Sequence, residues 1–592
     1  YYISTNIQFK FNFGLLICFK NTIFAELMEY RWRAKSTPNP EQVALLSESI
    51  RVNPNIAAIL IQRGIDSYEK AEKFFRPKLE DLHNPFLMKD MDVAIRRIQQ
   101  AVTNQEGMLI YGDYDVDGTT AVSIVYSYFK SFNQNIEYYI PDRYKEGYGI
   151  SKTGLEYAAE MGFTLVITLD CGIRSNALAD YATSLGLEMI ICDHHLPGET
   201  LPNVAAILNP KRNDCEYPYK ELSGAGIGFK LIQAYNEKQG MPTEMVYDYL
   251  DMVAVSIASD LVDIRGENRV LSFYGLKKLN ENPSIGLQTL LEDCPKKDQY
   301  NISDILFGIG PRINAAGRIS DATAAVKVLI EKDYNTAKKY AKVLSERNHE
   351  RKELDTDITR DAIAMVEQSQ RLMDKYSMVL KGEGWSKGVI GIVASRMVEQ
   401  FYKPTIVFSL NDGMLTGSAR SIKTFDIHEA IGACGDLVEQ FGGHKYAAGL
   451  SIKVENFDAF ADKFEAIVRE TVTAEDLIPV VEYDLEIETQ SITPGMMKIL
   501  KQLSPFGPGN AIPVFRTNNL KANQSAKIIK DRHLKMQINT PHGNMDSIGF
   551  GLAEYWPSVT DGQHFQACYC IEENTFNGRT NLQLRLQDIK TQ

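Results

Sequence analysis

Acidic residues and histidines stand directly after short apolar runs in the first half of the chain. The runs MLIYG, TLVITL and EMIIC each lead into such groups, and the later run VAVSIAS ends on one more acid. The groups concerned are Asp113, Asp115, Asp117, Asp170, His194, His195 and Asp260. If the first three runs are parallel strands, their carboxyl ends meet at one edge of a sheet, where ligand sites lie. The sequence therefore predicts one crevice built from residues that are far apart along the chain.

Several carboxylates in one crevice repel one another, and divalent cations supply the compensating charge. Carboxylate oxygen suits Mg²⁺ and Mn²⁺, whereas imidazole suits the later transition metals, so the mixed set points to Mn²⁺, with Mg²⁺ as the alternative. The set exceeds what one tetrahedral zinc ion uses. Two ions roughly 3.5–4 Å apart are the natural interpretation, and such a pair suits in-line displacement at phosphorus.

Two simpler interpretations compete with a metal site. Asp113 to Gly118 looks like the start of a calcium-binding loop, but the twelfth position of that loop is Ile124 rather than Glu. A single Asp after a strand is more often a helix cap than a ligand, so Asp170 alone would be uninformative. The adjacent pair His194 and His195, in a chain with nine histidines, makes the combination much more specific.

The elements that must position these groups follow an alternating pattern. Short apolar strands are separated by amphipathic stretches such as TTAVSIVYSYFKSF and SNALADYATSLG, a pattern typical of a parallel α/β sheet. The charged stretch 333–376 contains neither Pro nor Gly, which predicts one long connecting helix or two packed helices with a bend. A second α/β segment follows it, and short β-like runs near the carboxyl end predict a small barrel or sandwich.

The 592 residues predict three or four structural units. The predicted boundaries are 28–105 for a helical region, 106–332 for the catalytic α/β domain, 333–376 for the linking helix, 377–470 for the second α/β domain and 478–592 for the β domain. Residues 1–27 are aromatic and precede the first Met, Met28. We interpret them as upstream sequence translated in error.

Composition limits the classes of function. Hydrophobic residues make up 44% and charged residues 24%, which is typical of folded proteins. A net charge of −12 argues against a protein that only coats nucleic acid, but not against a nuclease with a local basic groove, because salt screens charges beyond about 10 Å. No apolar stretch approaches the roughly 20 residues of a membrane span. The eight cysteines include no C-x-x-C pair, which favours a reducing cytoplasmic location.

The motifs resemble those of a known superfamily. YGDYDVDGTTA, LDCG, CDHHLPG and SIASD resemble the four motifs of the DHH phosphoesterases, and FGGHKYAAGLSI resembles the glycine-rich motif of the DHH-associated domain. GIGPRINAAGR and LSPFGPGNAIPVF are similar to segments of the RecJ family of single-strand-specific 5′ to 3′ exonucleases. The resemblance runs from about residue 28 to the end of the chain, and it implies an OB-like fold for the C-terminal β domain.

The resemblance implies a role for each matching residue. Two metal ions would be held by Asp115, Asp117, Asp170, His194 and Asp260, with Asp170 between them. Asp113 would be an additional acid and His195 would assist at the phosphate or in the ligand shell. Tyr111 stands where some relatives carry a histidine, so a sixth protein ligand is in doubt. The implied substrate-binding residues are Arg143, Arg312, Ser418, Arg420, Gly442, Gly443 and His444.

The resemblance implies an exonuclease that degrades single-stranded DNA from its 5′ end to mononucleotides in repair and recombination. A helicase and a single-strand-binding protein are the implied partners. One alternative is a DHH phosphodiesterase for short oligoribonucleotides or cyclic dinucleotides. Another is an inactive scaffold of the replication machinery that keeps the fold, which the intact acids and His194 speak against.

Overall fold

The computed structural model describes residues 30–319, 322–411, 413–576 and 578–591. The segment 1–27, which we interpret as upstream sequence, lies outside the described residues. The described residues form two compact units, one containing residues 78–472 and the other combining residues 30–77 with residues from 473 onward. Within the described ranges, no helix has the length and apolar character that crossing a membrane requires.

The strands are numbered in chain order. They are β1 Arg31–Ala34, β2 Met108–Gly112, β3 Ile136–Tyr139, β4 Leu165–Leu169, β5 Glu188–Cys192, β6 Ala206–Leu208, β7 Met378–Glu383, β8 Thr405–Asn411, β9 Met414–Arg420, β10 Gln440–His444, β11 Ala447–Lys453, β12 Val480–Tyr483, β13 Leu485–Glu486, β14 Phe515–Leu520, β15 Lys527–Ile529, β16 His533–Thr540, β17 Gly543–Gly549, β18 Phe565–Phe576 and β19 Arg579–Thr591.

The α-helices are numbered in the same way. They are α1 Pro40–Ile50, α2 Pro54–Gln62, α3 Tyr68–Phe75, α4 Met91–Asn104, α5 Val116–Phe129, α6 Lys152–Glu160, α7 Asn176–Ser184, α8 Gly224–Lys238, α9 Glu244–Tyr247, α10 Leu250–Asp260, α11 Gly266–Glu281, α12 Ile285–Glu292, α13 Ile302–Asp304, α14 Gly310–Ile319, α15 Thr323–Ile330, α16 Tyr334–Glu367, α17 Gln370–Met373, α18 Ile390–Phe401, α19 Ile427–Ala433, α20 Phe457–Thr471, α21 Pro494–Gln502 and α22 Trp556–Thr560.

The first sheet confirms the predicted parallel arrangement. Its strand order is β3-β2-β4-β5-β6, and all neighbouring strands pair in parallel. Strands β2 and β4 are buried along their whole length, which explains why their sequences are continuous apolar runs rather than alternating ones. Because β2, β4 and β5 are neighbours, the acids that follow them leave the sheet side by side.

The long helix α16 is a single continuous helix of 34 residues, so the bent alternative for this stretch does not apply. Asp333 caps its first turn by accepting a hydrogen bond from the Thr336 backbone N–H at 2.9 Å. The helix packs against α14 and α15 near its start and against α18 further along, so it joins the two α/β domains of the first unit.

The second α/β domain has the strand order β10-β11-β9-β8-β7. Only β7 and β8 pair in parallel, and the other neighbours are antiparallel. Glycine-rich β10 lies at the edge of this sheet, and its residues are mostly exposed. The domain therefore presents a strand whose backbone groups face outward on one side.

The second unit is built on a sheet with the order β13-β14-β18-β19-β17-β16-β15. Residues near the start of the chain complete its core: Ile56 and Leu60 of α2 share one apolar cluster with Phe515 and Tyr569. Strand β1 also pairs in parallel with β12. The predicted helical region 28–105 is thus divided, since residues from 78 onward belong to the first unit.

Close helix packing fixes the first half of α10, the helix that ends at Asp260. A Cβ added to Gly275 of α11 would lie 2.3 Å from the Leu250 carbonyl oxygen and 2.6 Å from the Ala254 Cβ. We expect Gly275→Ala to force α11 away from α10 and to lower the free energy of unfolding by about 1–3 kcal/mol. Thermal or denaturant unfolding of the purified protein measures this loss. Lys277→Ala on the exposed side of α11 is the control, and equal stability of both variants would contradict the packing argument.

Candidate metal centre

The loop after β2 brings its three acids close together through a tight turn. Asp113 is fully buried, and Asp115 caps α5 by accepting a hydrogen bond from the Gly118 backbone N–H at 3.1 Å. A Cβ at Gly118 would lie 2.3 Å from the Asp113 carbonyl oxygen. Only glycine fits this turn, which explains the Gly that follows the acids in the sequence.

Asp117 is held by the amino-terminal end of α8. One carboxylate oxygen accepts from the Gly224 N–H and the other from the Ala225 N–H, both at 2.7 Å, and Ser256 Oγ donates to the latter oxygen at 2.7 Å. A helix amino terminus favours a negative charge. Burial and the charge of Asp115 nevertheless raise the pKa of Asp117 to about 6, against the lowering effect of these hydrogen bonds.

Asp170 and His194 form the middle of the site. Asp170 follows β4 with a left-handed backbone (φ 60°), and its Oδ1 lies 3.1 Å from His194 Nε2. The same ring nitrogen lies 3.6 Å from Asp260 Oδ2 and 3.7 Å from Asp117 Oδ2. His194 therefore faces three carboxylates that come from separate elements.

Four buried donor atoms of this crevice have no hydrogen-bond partner among the described residues. Both ring nitrogens of His194, Oδ1 of Asp170 and Oδ2 of Asp113 are buried and make no hydrogen bond within the described residues. Burial and the neighbouring His195 hold the pKa of His194 well below its ordinary value, so the imidazole is neutral. A neutral imidazole among unsatisfied carboxylate oxygens is the donor set that a divalent cation requires.

Three overlapping groups of donor atoms each fit one ion, since the atoms within a group lie within 4.8 Å of one another. The groups are Asp113–Asp115–Asp170, Asp117–His194–Asp260 and Asp170–His194–His195. Burial, followed by the neighbouring carboxylates, raises the pKa values of Asp170 and Asp260 well above their ordinary range. The negative charges of the crowded acids repel one another when the acids are ionised, and bound divalent cations would offset this repulsion.

Asp193 orients His195, a role that the sequence analysis did not assign. Asp193 Oδ1 lies 2.7 Å from His195 Nδ1, and its Oδ2 accepts from the Ile173 N–H at 2.9 Å. Burial raises the pKa of Asp193, but the charge and hydrogen bonds of His195 outweigh it and hold the pKa below its ordinary value. Tyr148 Oη lies 3.3 Å from His195 Nε2. The signal in the sequence was the Asp that precedes the two histidines.

Tyr111 uses its hydroxyl away from the metal-binding groups. The hydroxyl donates to the Gly149 carbonyl oxygen and accepts from the Ser151 N–H, both at 3.1 Å, and the ring stacks on Tyr139. The Tyr111 side chain therefore has a structural role beside the crevice, holding the backbone at Gly149 and Ser151.

Arginines from both α/β domains form one basic cluster. Arg420 Nη1 donates to Ser418 Oγ at 3.1 Å, and Arg143 lies over the Tyr114 ring with its guanidinium carbon 5.2 Å from the ring centre. Burial and the charge of Arg143 lower the pKa of Arg420 to about 10. Arg318 is the central member, because burial and the charges of Arg143, Arg351 and Arg420 lower its pKa to about 10 as well.

Arg318 was not among the predicted substrate-binding residues, whereas Arg312 of the same motif was. Arg312 donates to the carbonyl oxygens of Gly308 and Asp293 and, at 3.3 Å, to Ser345 Oγ. These contacts occupy the Arg312 guanidinium among the helices of the first unit. Positions 312 and 318 are six residues apart and point to different sides of α14, so helical geometry could have distinguished the two arginines.

Arg318 also lies where the two α/β domains touch. Its Nη1 donates to the Gly388 carbonyl oxygen at 3.1 Å, and its own carbonyl oxygen accepts from the Tyr144 hydroxyl. A Cβ at Gly388 would lie 2.4 Å from that carbonyl oxygen. Gly388 therefore permits a close approach that any larger residue would prevent.

One buried acid lies beside this cluster. Asp355 of α16 is fully buried, and its Oδ2 accepts from Arg396 at 2.8 Å and from Arg351 at 3.2 Å. It neutralises only part of the charge of the surrounding arginines, and the surplus favours an anionic ligand such as phosphate.

Gly442, Gly443 and His444 lie on the edge strand β10. Gly443 has φ 145°, and a Cβ there would lie 2.4 Å from the Ala447 carbonyl oxygen. Burial, with nearby positive charge from Arg174, His195 and His428, lowers the pKa of His444 to about 4.

Known proteins share these domains over most of the chain. Family models match residues 107–257 (DHH family, N-terminal domain), 374–470 (DHHA1 domain) and 483–588 (RecJ OB domain). The single-stranded-DNA-specific exonuclease RecJ of Bacillus subtilis is 37% identical over 562 residues, which cover 94% of this chain and 70% of that protein. RecJ of Dickeya dadantii is 32% identical over 550 residues, with 89% of this chain and 94% of that protein covered.

Solved structures agree with this. Crystal structures of Thermus thermophilus RecJ in complex with Mn²⁺ and with Mg²⁺ are 25% identical in sequence to this chain. The Mn²⁺ complex superposes with a TM-score of 0.81 and covers 95% of this chain and 80% of that one. The Mg²⁺ complex superposes with a TM-score of 0.76 and covers 95% of this chain and 79% of that one. The expected α/β fold with a C-terminal OB domain is confirmed, and the chain belongs to the RecJ family of single-stranded-DNA-specific exonucleases.

Proposed function

We propose that this protein is a metal-dependent exonuclease that hydrolyses single-stranded DNA from its 5′ end and releases mononucleotides. The observation that carries the proposal is the crevice of buried, unpartnered carboxylate and imidazole atoms beside a cluster of arginines. Digestion of strands labelled at the 5′ or the 3′ end, with Mn²⁺ present, tests it. We expect the 5′-labelled strand to release labelled mononucleotide at once and the 3′-labelled strand to release it only late. Absence of turnover would instead favour an inactive scaffold.

Two divalent cations would be held by Asp115, Asp117, Asp170, His194 and Asp260, with Asp170 between the two positions. Supporting this, Asp170 belongs to one donor group with Asp113 and Asp115, and lies 3.1 Å from His194 of the other. When bound, the cations lower the pKa of an attacking water and neutralise charge that develops on the phosphate. Mn²⁺ fits the mixed donor set best, and Mg²⁺ is the alternative.

The protein's own groups would position the strand. Arg143, Arg318, Arg420 and Ser418 are the groups that we assign to the phosphates, because guanidinium forks bind phosphate oxygens bidentately. His195, fixed by Asp193, would contact the scissile phosphate. Gly442, Gly443 and His444 would let the strand approach the backbone of β10 closely, since even a Cβ added at Gly442 would meet no protein atom within 4 Å and the space beside this backbone is open.

We further assign residues 106–332 to catalysis, 333–376 to the linking helix, 377–470 to substrate binding and 478–592 to nucleic-acid binding. The setting would be DNA repair and recombination in the cytoplasm, with a helicase that supplies single strands and a single-strand-binding protein as partners. A phosphodiesterase for short oligoribonucleotides or cyclic dinucleotides is not favoured, because the relatives that match most of the chain are exonucleases for single-stranded DNA.

Loss of the shared ligand should abolish hydrolysis. Asp170 has a left-handed backbone, which Asn tolerates better than Ala, so Asp170→Asn removes the charge with little strain. We expect kcat on 5′-labelled DNA to fall at least about 100-fold while circular dichroism and unfolding remain normal. Asp180→Ala, an exposed acid of α7, is the control. Near-normal turnover of Asp170→Asn would refute the assignment.

Metal binding should stabilise the protein more at neutral than at acidic pH. The pKa of Asp117 is raised to about 6, so in the metal-free protein this group contributes stability at low pH that is lost as the pH rises through its ordinary value and then through 6. Cations bind the ionised acids and offset that loss. The rise in Tm on adding Mn²⁺ should therefore be larger at about pH 7.5 than at about pH 5. An equal rise at both values would contradict ligation by these acids.

Arg318 should contribute to phosphate binding. We expect Arg318→Gln to raise KM for single-stranded DNA about tenfold and to reduce the slope of log affinity against log salt by about one. Arg347→Gln is the control, because Arg347 is an exposed residue of α16 that pairs with Glu350 at 3.0 Å. An unchanged salt slope in Arg318→Gln would exclude a phosphate contact.

A further inference from the structure

The loop 142–150, with the sequence DRYKEGYGI, connects β3 to α6 and reaches the metal centre. It supplies Arg143 to the basic cluster and the Tyr144 hydroxyl to the Arg318 carbonyl oxygen. It also supplies the Tyr148 hydroxyl, 3.3 Å from His195 Nε2, and the Gly149 N–H, 3.3 Å from Asp113 Oδ1. One short loop therefore contacts the acids, the second histidine and the arginines.

Two carboxylates fasten this loop from within. Asp142 Oδ1 accepts from the Tyr144 and Lys145 N–H groups at 2.8 and 3.1 Å, and Glu146 ties the loop to its flanking elements. Its Oε1 accepts from the Asp142 N–H at 2.8 Å, which closes the first turn. Its Oε2 accepts from the Tyr139 hydroxyl at 3.0 Å and from the Ser151 hydroxyl, so the loop is tied to the end of β3 and the start of α6. Two left-handed glycines, Gly147 and Gly149, reverse the chain directly after it.

The exposure of the loop shows why such fastening is needed. Tyr144 and Tyr148 are 51% and 49% exposed, so apolar burial does little to fix their positions. Polar contacts must therefore carry the conformation of the outer part of the loop: the Asp142 carboxylate shapes its first turn, and the half-buried Glu146 ties that turn to the end of β3 and the start of α6. The inner part is fixed independently by the Tyr111 hydroxyl at Gly149 and Ser151.

We propose that Glu146 is a positioning residue for substrate binding: it holds the loop 142–150 so that Arg143 faces the 5′-terminal phosphate of the strand. The inference rests on the proposed function, because it takes that phosphate as the partner of Arg143. Glu146 itself touches neither the metal-binding acids nor the arginines in any hydrogen bond found among the described residues.

The chemistry of the contacts allows a sharp pair of variants. In Glu146→Gln, the amide oxygen can still accept from the Asp142 N–H, and the NH₂ group can donate to the hydroxyl oxygens of Tyr139 and Ser151. In Glu146→Ala all three contacts are lost. Gln should thus preserve the loop and Ala should release it, whereas a role that depends on the negative charge would be lost in both.

The test compares DNA strands with a 5′-phosphate and with a 5′-hydroxyl end. Binding is measured by fluorescence anisotropy without metal, and hydrolysis with Mn²⁺. We expect Glu146→Ala to weaken binding of the phosphorylated strand about tenfold and to raise its KM similarly, which brings both constants close to those of the hydroxyl strand. Glu146→Gln should stay within about threefold of the natural protein. Glu137→Ala, an exposed acid of β3, is the matched control.

Three outcomes would overturn the inference: equal binding of the two strands by the natural protein, unchanged discrimination in Glu146→Ala, or an equal loss in the Gln and Ala variants. Unfolding curves identify a variant that fails to fold. If Glu146→Ala does not fold, Glu146→Gln still tests the inference, because discrimination between the two strands is kept if Glu146 acts by holding the loop and lost if its negative charge is needed. Failure of the proposed function is a separate result. If the natural protein hydrolyses neither strand, the metal-free binding measurement still shows whether it binds the 5′-phosphate strand more tightly than the 5′-hydroxyl strand.

Discussion

The crowding of buried carboxylates is the constraint on which the rest of the structure depends. Asp113, Asp117, Asp170 and Asp260 share one crevice with His194, and burial raises the pKa of each of the four acids. The protein compensates for part of this cost with the amino terminus of α8 at Asp117 and the Gly149 N–H at Asp113. Among the described residues, Oδ2 of Asp113, Oδ1 of Asp170 and both ring nitrogens of His194 make no hydrogen bond, and divalent cations would satisfy them.

Bringing these groups so close requires backbone that side chains would obstruct. At Gly118 a Cβ would meet the Asp113 carbonyl oxygen, and at Gly224 it would lie 2.6 Å from the Asp170 Cβ. The same helix end that stabilises Asp117 is thus also pressed against Asp170. Small residues at these positions serve the electrostatics of the site, because a displacement of α8 would remove two hydrogen bonds from Asp117 at once.

The sequence predicts local patterns well and contacts between distant elements poorly. Buried parallel strands and the groups that follow them were identifiable because periodicity and strand ends are local signals. The pairing of β1 with β12 and the position of Arg318 beside Arg143 and Arg420 were not, because each depends on which surfaces of separate elements meet. Asp193 was visible beside the histidines, but its bond to His195 Nδ1 depends on the loop geometry after β5.

An acidic protein can bind a polyanion when its basic residues cluster at a site and most of its acidic residues lie further from that site than the screening length. The net charge of −12 describes the whole chain, whereas Arg318 and Arg420 lie in a small region where burial and the nearby charge of Arg143 lower the pKa of both. Charges further than about 10 Å away contribute little in physiological salt. The arginines come from both α/β domains, and Arg318 donates to Gly388 across their contact. The phosphate binding that we propose for these arginines would therefore depend on the two domains holding their positions, and the helix α16, which joins the domains, would contribute to it indirectly.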